Sequence, residues 1–301
     1  MKYLSIGRNW REYNEEPVKR GEILIDSSNF SPREEKAKKR ERPYTYPWQL
    51  IWVLLFIKFA LRLPYRQTEG LTRELFGSLG LKVPNFRTLH YRFTTSNFNL
   101  SDFPDPEELP DDFVIILDST GVKVTNRGEW LRKKHGKKTR KGWIKLHVAL
   151  DLKRKKVVAM KVTDERVHDS QKAKELIEKS KKKAEGKGKR VSKVIADAGY
   201  DTHEFFRYLG EEGIEPAVLV RKGAKIKGNP VRDRVIRQIR KGKKKWKEAV
   251  GYGKRWLIES FFSTFKRWFG EYVVSKRFDN MRKELVFMVG IMNTLMMAQV
   301  V

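Results

Sequence analysis

Residues Phe113–Thr120, which read FVIILDST, are the strongest indication of the fold class. The first five of them form a continuous apolar run, which is typical of a strand buried on both faces of a sheet. After it, Gly121–Thr125 can turn back as a second strand. The segments WIKLHVAL at 143–150 and Val157–Thr163 alternate between an apolar and a mixed face. Together these patterns predict an antiparallel meander.

The residues that follow the meander alternate between helical and strand patterns. Asp169 or Ser170 can cap a helix, and Val191–Ala196 is again a continuous apolar run. A helix is predicted near Thr202–Leu209 and a strand near Ala217–Val220. The fold class predicted for this part of the chain is therefore α/β, a mixed sheet flanked by helices.

The N-terminal third reads differently. Residues 1–45 are polar and charged and are predicted to form a basic arm with limited structure of its own. Residues 46–105 carry three helical patterns, which predict a small all-helical domain. Two short helices joined by a turn that contains glycine resemble a helix-turn-helix, but a small bundle that only packs fits the same pattern. The proline-rich, acidic stretch at 97–112 predicts the boundary to a second domain at 106–301.

The third helical pattern carries the polar side chains that a helix-turn-helix would present to DNA. Asn85 can cap it, and its apolar residues share one face. Arg87, Tyr91 and Arg92 lie on the remainder of the helix surface, where they can face a nucleic acid.

The charge balance points to a polyanionic partner. Among 301 residues, 66 are Lys or Arg and 37 are Asp or Glu, which gives a formal net charge of +29. Such a charge favours nucleic acid as the partner, with a membrane surface second. The apolar stretch at 49–61 is shorter than the roughly 20 residues that span a bilayer, so we predict a core helix and no membrane partner.

The chain has no cysteine, which excludes disulfides, thiolate zinc sites and cysteine catalysis. This composition suits a reducing cytoplasm, and with the positive charge it predicts a cytoplasmic, nucleoid-associated protein. The charge is densest at 221–250, where 13 basic residues stand against 2 acids. This basic segment is predicted to contact DNA as a loop or helix.

Three acids occupy positions where a carboxylate is costly. Asp118 follows the run FVIIL, Asp197 follows the strand at Val191–Ala196, and Glu259 lies in the apolar helical pattern WLIESFF. Ionised carboxylates at such positions need cations or a metal. Each acid alone also fits a bland interpretation, in which the aspartates form turns and Glu259 pairs with a neighbouring arginine.

The surroundings of Glu259 favour the functional interpretation. Tyr252, Arg255 and Lys266 stand at offsets of −7, −4 and +7 from Glu259, which places all four on one stripe wherever the segment is helical. A phenol, a guanidinium, a carboxylate and an ammonium group would then face the same direction.

Asp118-Ser119-Thr120, then Asp197-Ala198-Gly199-Tyr200-Asp201, then the spaced residues Tyr252, Arg255, Glu259 and Lys266 form a recognisable series. The series resembles the DDE transposases of bacterial and archaeal insertion sequences, in the group with a Tyr-Arg-Glu-Lys signature. The resemblance implies a ribonuclease-H-like catalytic domain in which Asp118, Asp197 and Glu259 bind two Mg²⁺ or Mn²⁺ ions. It also implies that Tyr252, Arg255 and Lys266 hold the DNA strand.

This resemblance implies a transposase that cleaves DNA at the ends of a mobile element and joins the 3′-hydroxyl to target DNA. Its partners would be double-stranded DNA, with terminal inverted repeats and a target site, and a second copy of the chain in a homodimer on DNA. Only 61 residues separate Asp197 from Glu259, so the large insertion of some relatives has no room. Two alternatives stay open: a ribonuclease-H-like nuclease that does not join strands, and a non-catalytic DNA-binding protein such as a decayed transposase.

Overall fold

The computed structural model describes residues 45–78, 80–105, 108–124 and 142–296. The predicted N-terminal arm therefore lies outside the described residues, apart from its last position. The described residues form two compact units, one made of 45–105 with 286–296 and the other of 108–285.

The first unit contains the three helices predicted for it. These are α1, Trp48–Ala60; α2, Tyr65–Gly77; and α3, Phe86–Thr95. The predicted cap of α3 is confirmed, because the side-chain oxygen of Asn85 accepts a hydrogen bond of 2.9 Å from the backbone N–H of Thr88. A short 3₁₀ turn, Leu100–Asp102, follows.

An aromatic cluster forms the core of this unit. The ring of Phe287 lies 5.3 Å from that of Trp52, 5.0 Å from that of Phe59 and 4.7 Å from that of Phe98. Residues from 286 onward, which the sequence assigns to the catalytic domain, thus pack in the helical unit. A pattern of apolar residues shows that a helix has a buried face but not which core buries it.

The second unit is built on one mixed sheet. Its strands are β1, Phe113–Val124; β2, Trp143–Asp151; β3, Val157–Asp164; β4, Val191–Ala196; β5, Glu215–Val218; and β6, Tyr272–Val273. The order is β3-β2-β1-β4-β5, and β6 pairs with the end of β1. β1 is antiparallel to β2 and parallel to β4, which confirms the predicted α/β class with a mixed sheet flanked by helices.

The helices of this unit connect and cover the strands. They are α4, Ser170–Glu185; α5, His203–Glu211; α6, Pro230–Ala249; α7, Trp256–Phe269; and α8, Phe278–Met296, whose second part lies in the helical unit. 3₁₀ turns at Ala198–Tyr200 and Tyr252–Arg255 precede α5 and α7. The basic segment 221–250 is thus a loop followed by α6, which has non-helical dihedral angles at Gly242.

β1 is longer than the sequence predicts, and this changes the position of Asp118. The strand does not end at Leu117 or turn back at Gly121, because its pairing with β2 continues to Lys123. At Gly121 a side chain would come within 3.2 Å of the ring of Trp143 on β2, so a glycine keeps the two strands close there. Asp118 therefore lies inside a strand, opposite Val148.

Within the described ranges, no single helix is long and apolar enough to cross a membrane. The pair α1 and α2, which is bent by 118° at the break between them, meets the same criteria of length and composition when taken together.

Candidate active site

Asp118 lies at the centre of the sheet with its carboxylate half-buried. Its Oδ1 accepts a hydrogen bond of 2.8 Å from the backbone N–H of Ser119, and its Oδ2 accepts one of 3.0 Å from Nη1 of Arg255. The side chain retains 19% of its exposure, so solvent and a substrate can still reach it.

Asp197 follows β4, the parallel neighbour of β1. Leu117 pairs with Ala196, so Asp118 and Asp197 come directly after a matched pair of residues on adjacent strands. The Oδ1 of Asp197 accepts a hydrogen bond of 2.8 Å from the N–H of Gly199. A Cβ at Gly199 would come within 2.9 Å of this oxygen, so only glycine fits the turn as it stands.

Glu259 belongs to the first turn of α7, which packs against β1. Nη2 of Arg255, four residues earlier, donates a short hydrogen bond to its Oε1. The guanidinium of Arg255 thus bridges the carboxylates of Asp118 and Glu259. Two of the three predicted acids meet at one cation.

The pKa of Asp118 is displaced from its ordinary value by its surroundings. Burial raises its pKa from 3.8 to about 6. The hydrogen bond from Ser119 and the charge of Arg255 act in the opposite direction, whereas the charges of Asp197 and Asp169 raise the pKa further. A strongly shifted pKa at a point of the sheet where several charges meet marks a candidate active site.

Tyr252 and Lys266 complete the predicted stripe in different surroundings. Tyr252 is buried, its ring lies 5.6 Å from that of Trp246, and burial raises the pKa of its hydroxyl. It belongs with Arg255 to the 3₁₀ turn that precedes α7 rather than to the helix itself. Lys266 is partly exposed near the end of α7.

The residue types at this site fit a divalent cation. Carboxylate oxygens are the ligands that Mg²⁺ and Mn²⁺ prefer. Asp118 and Glu259 hold the positively charged guanidinium of Arg255 between them. In the part of the chain that the structure describes, no three acidic, histidine or cysteine side chains are yet arranged to hold a metal ion. Arg255 stands between two of them.

Asp169 is a fourth acid near the site that the sequence suggested only as a helix cap. Its side chain makes no capping hydrogen bond, and its Oδ1 instead lies 3.2 Å from Nζ of Lys145. Its charge contributes to the raised pKa of Asp118 and of the buried Tyr200. Position in the sequence could not separate these roles, because Lys145 is 24 residues away on β2.

His147 is fully buried beside Asp169. Its Nε2 lies 2.9 Å from the hydroxyl of Thr163, which also lies 3.0 Å from the carbonyl oxygen of Asp164. Its Nδ1 lies 3.7 Å from the Oδ1 of Asp169. Burial lowers the pKa of His147 to about 4, so the ring is neutral at physiological pH.

The three residues of α3 that are predicted to contact DNA differ in their exposure. Arg87 and Tyr91 are exposed, and they stand one helical turn apart. Arg92 is instead buried, with its guanidinium 5.3 Å from the ring centre of Trp48. The prediction for Arg92 as a DNA contact is not supported by this placement, because the helix turns it toward the aromatic core.

The fold and site together define an α/β protein with a carboxylate site on the central strand β1 and on α7, next to the carboxyl end of the parallel strand β4. Two family profiles, both described as "Transposase DDE domain", match the chain, one over residues 110–294 and the other over 18–127. The first match alone covers more than half of the chain, which therefore belongs to the DDE transposase family. The ribonuclease-H-like fold expected from the sequence agrees with this membership.

The chain is also similar to an uncharacterized protein of Aquifex aeolicus (strain VF5), with 30% identity over 141 residues. The matched region covers 43% of this chain and 42% of that protein, so the chain spans less than half the length of this curated relative. The family as a whole cleaves DNA with the help of divalent metal ions. Membership of the Tyr-Arg-Glu-Lys group stays a prediction from the sequence.

Proposed function

We propose that this protein is the transposase of an insertion sequence. It would bind the ends of a mobile element, cleave DNA strands there and join the freed 3′-hydroxyl to target DNA. The observation that supports this most is the convergence of Asp118, on the central strand β1, and Glu259, on α7, on one cationic group in a chain that belongs to the DDE transposase family.

Asp118, Asp197 and Glu259 are proposed to hold two Mg²⁺ or Mn²⁺ ions. Such ions activate an attacking water or hydroxyl group and stabilise the leaving oxygen of a phosphodiester. Arg255 has to release the two carboxylates for this purpose, since its guanidinium stands between them. A general base supplied by the protein is not needed for this reaction, and the neutral, buried His147 is not proposed as one.

Arg255 and Lys266 are proposed to hold the DNA strand. The guanidinium of Arg255 can form two parallel hydrogen bonds to a phosphate once it leaves the acids. Lys266 lies seven residues beyond Glu259, about 10 Å along the axis at 1.5 Å per residue, so it can reach a neighbouring phosphate. The resemblance assigns Tyr252 to the DNA strand as well, but the side chain is buried, so Tyr252 is proposed to support Arg255, with which it shares a hydrogen bond.

We propose that the helical unit recognises the element ends through Arg87 and Tyr91. Arg87→Ala and Tyr91→Ala in the full chain should reduce the preference for end DNA over unrelated DNA, which competition binding measures. Lys82→Ala, an exposed cation outside α3, serves as the control. An unchanged preference in both α3 variants would mean that recognition lies elsewhere.

Two copies of the chain are proposed to act together on two element ends. Mass photometry of the protein with and without end DNA measures this directly. A complex with one protein copy per DNA end that never pairs would contradict the proposed homodimer.

The test of the function is incubation of the full chain with its own element-end DNA, target plasmid and Mg²⁺ or Mn²⁺. Nicked and joined products are expected. Asp118→Ala, Asp197→Ala and Glu259→Ala should each abolish cleavage and leave DNA binding nearly intact, because the acids are not the source of affinity. Glu185→Ala, at the exposed end of α4, is the matched control.

Lys266 separates a transposase from a nuclease. Lys266→Ala should retain the fold and lose joining at least as severely as the first nick, and Lys266→Arg should restore part of it, because a cation is restored. Nicked ends that never join, together with wild-type behaviour of Lys266→Ala, would support the ribonuclease-H-like nuclease. Binding without any cleavage would support a non-catalytic DNA-binding protein.

A further inference from the structure

The segment 221–228, called here the basic loop, connects the end of the sheet to α6. It reads RKGAKIKG and carries four cations and no acid. All four, Arg221, Lys222, Lys225 and Lys227, are exposed.

A buried ion pair holds the basic loop. Nε and Nη2 of Arg232 donate hydrogen bonds of 2.7 and 3.0 Å to the two carboxylate oxygens of Asp201. The side chain of Asp201 is 1% exposed and that of Arg232 is 8% exposed. Asp201 also accepts a hydrogen bond of 2.9 Å from the backbone N–H of Arg221. Nη1 of Arg232 donates a hydrogen bond of 3.0 Å to the carbonyl oxygen of Lys225. The start and the middle of the loop are thus tied to one pair.

A second buried acid fixes the end of the loop. The carboxylate of Asp233 accepts hydrogen bonds from the backbone N–H groups of Lys227, at 3.2 Å, and Gly228, at 2.8 Å. Gly228 adopts φ +84°, which a residue with a side chain rarely does. The buried carboxylates of Asp201 and Asp233 therefore bind the backbone of the loop, and its lysine side chains stay exposed to solvent.

The same ion pair joins the basic loop to the turn that carries Asp197. Asp201 follows Asp197 by four residues, through the 3₁₀ turn Ala198–Tyr200. Nε of Arg221 also donates to the carbonyl oxygen of Ala198, at 3.4 Å. A row of exposed cations is therefore held against the backbone that places a predicted metal ligand.

We propose that the basic loop binds the DNA backbone next to the phosphate that is cleaved, and that Asp201 and Arg232 are the positioning residues that fix this loop relative to Asp197. This inference rests on the proposed function. To that function the inference adds a phosphate-binding surface beside the acids and a buried ion pair that fixes the position of the loop.

The first experiment removes charge from the loop. The variant Lys222→Gln, Lys225→Gln, Lys227→Gln is compared with Lys153→Gln, Lys155→Gln, Arg190→Gln in the full chain. The control cations are equally exposed, but they lie next to the other ends of β2 and β4. The affinity for a short fluorescent DNA duplex is measured in EDTA between roughly 50 and 200 mM salt.

Each lost phosphate contact should make the slope of log K against log salt concentration shallower by about 0.9. With three lysines replaced, the slope of the loop variant should be shallower than that of the wild type by up to about 2.7. With cleavable DNA, its KM should rise by about tenfold or more while kcat changes little, since the acids are untouched. Equal slopes in the loop and control variants would overturn the inference and leave the proposed function standing. A wild-type protein that does not bind DNA would overturn both.

The second experiment separates positioning from stability. Asp201→Asn is compared with Asp151→Asn, because Asp151 forms an equally buried pair with Arg154, 2.7 Å apart, at the turn between β2 and β3. Both changes should lower the melting temperature. Only Asp201→Asn should make the salt dependence shallower and slow cleavage. Loss of stability alone in both variants would show that the pair is structural and would overturn its positioning role.

Discussion

Replacement of Asp118 by Asn should make the metal-free protein more stable. Burial disfavours the ionised carboxylate, and Asn has nearly the same shape without the charge. A pKa that rises from 3.8 to about 6 corresponds to about 3 kcal/mol, at roughly 1.36 kcal/mol per pKa unit. Because the charge of Arg255 is already included in this pKa, the figure is the net cost of keeping Asp118 ionised in the folded chain.

The stability difference between Asp118→Asn and the wild-type protein should depend on pH. The folded carboxyl group binds its proton more tightly than the unfolded one, so the wild-type protein loses this stability as the pH rises from 3.8 to about 6. The advantage of Asp118→Asn should accordingly be fully present at pH 8, fall to about half at pH 5 and vanish below the unfolded pKa.

The assay is urea denaturation of both proteins in EDTA at a series of pH values. Asp279→Asn is a control of opposite sign, because the hydrogen bond from Lys283 lowers the pKa of that carboxylate and its removal should weaken the fold near neutral pH. An Asp118→Asn protein that is no more stable than the wild type at pH 8 would refute the reasoning, since burial would then not be the dominant influence on Asp118.

Three further changes test other parts of the structure. Gly290→Ala should lower the stability of the helical unit by about 1–2 kcal/mol in thermal denaturation, because the new Cβ would come within 2.3 Å of the ring of Phe103; an unchanged melting temperature would contradict this packing. Thr202→Ala should cost about 1 kcal/mol through loss of the N-cap of α5, whereas Thr202→Ser should retain the cap. Arg255→Gln should raise the pKa of Asp118 above 6, which infrared spectroscopy of the labelled carboxyl group measures, and a fall would contradict the assigned contact.

Local patterns were sufficient to predict most elements of the fold. The strand Val191–Ala196 and the cap at Asn85 depend on neighbouring residues, and both are found as predicted. The continuation of β1 past Asp118 depends on pairing with β2, whose partner residues lie 20 or more positions away. Polar residues and Gly121 at that point are typical of a turn, so the local pattern favoured the wrong interpretation there.

The site was predicted in composition but not in arrangement. The four-residue spacing of Arg255 and Glu259 indicates an ion pair, and the structure contains it. That the same guanidinium also reaches Asp118, 137 residues earlier, could not be read from any spacing. The sequence likewise predicts Arg92 at the surface together with Tyr91. Neighbouring residues on a helix point about 100° apart, so Tyr91 is exposed while Arg92 is buried.

The position of Arg255 connects the two ligands that a DDE transposase must bind. In the DNA-free chain its guanidinium neutralises Asp118 and Glu259, which offsets part of the cost of burying Asp118. A phosphate of the DNA is another possible partner for this guanidinium, because it is negatively charged and can accept two hydrogen bonds, as a carboxylate can. Under the proposed function, movement of Arg255 to the phosphate would free both carboxylates for cations, and a cation at the acids would in turn release Arg255 for DNA. Under the proposed function, DNA and metal therefore assist each other's binding through one side chain, as the reciprocity of coupled binding requires.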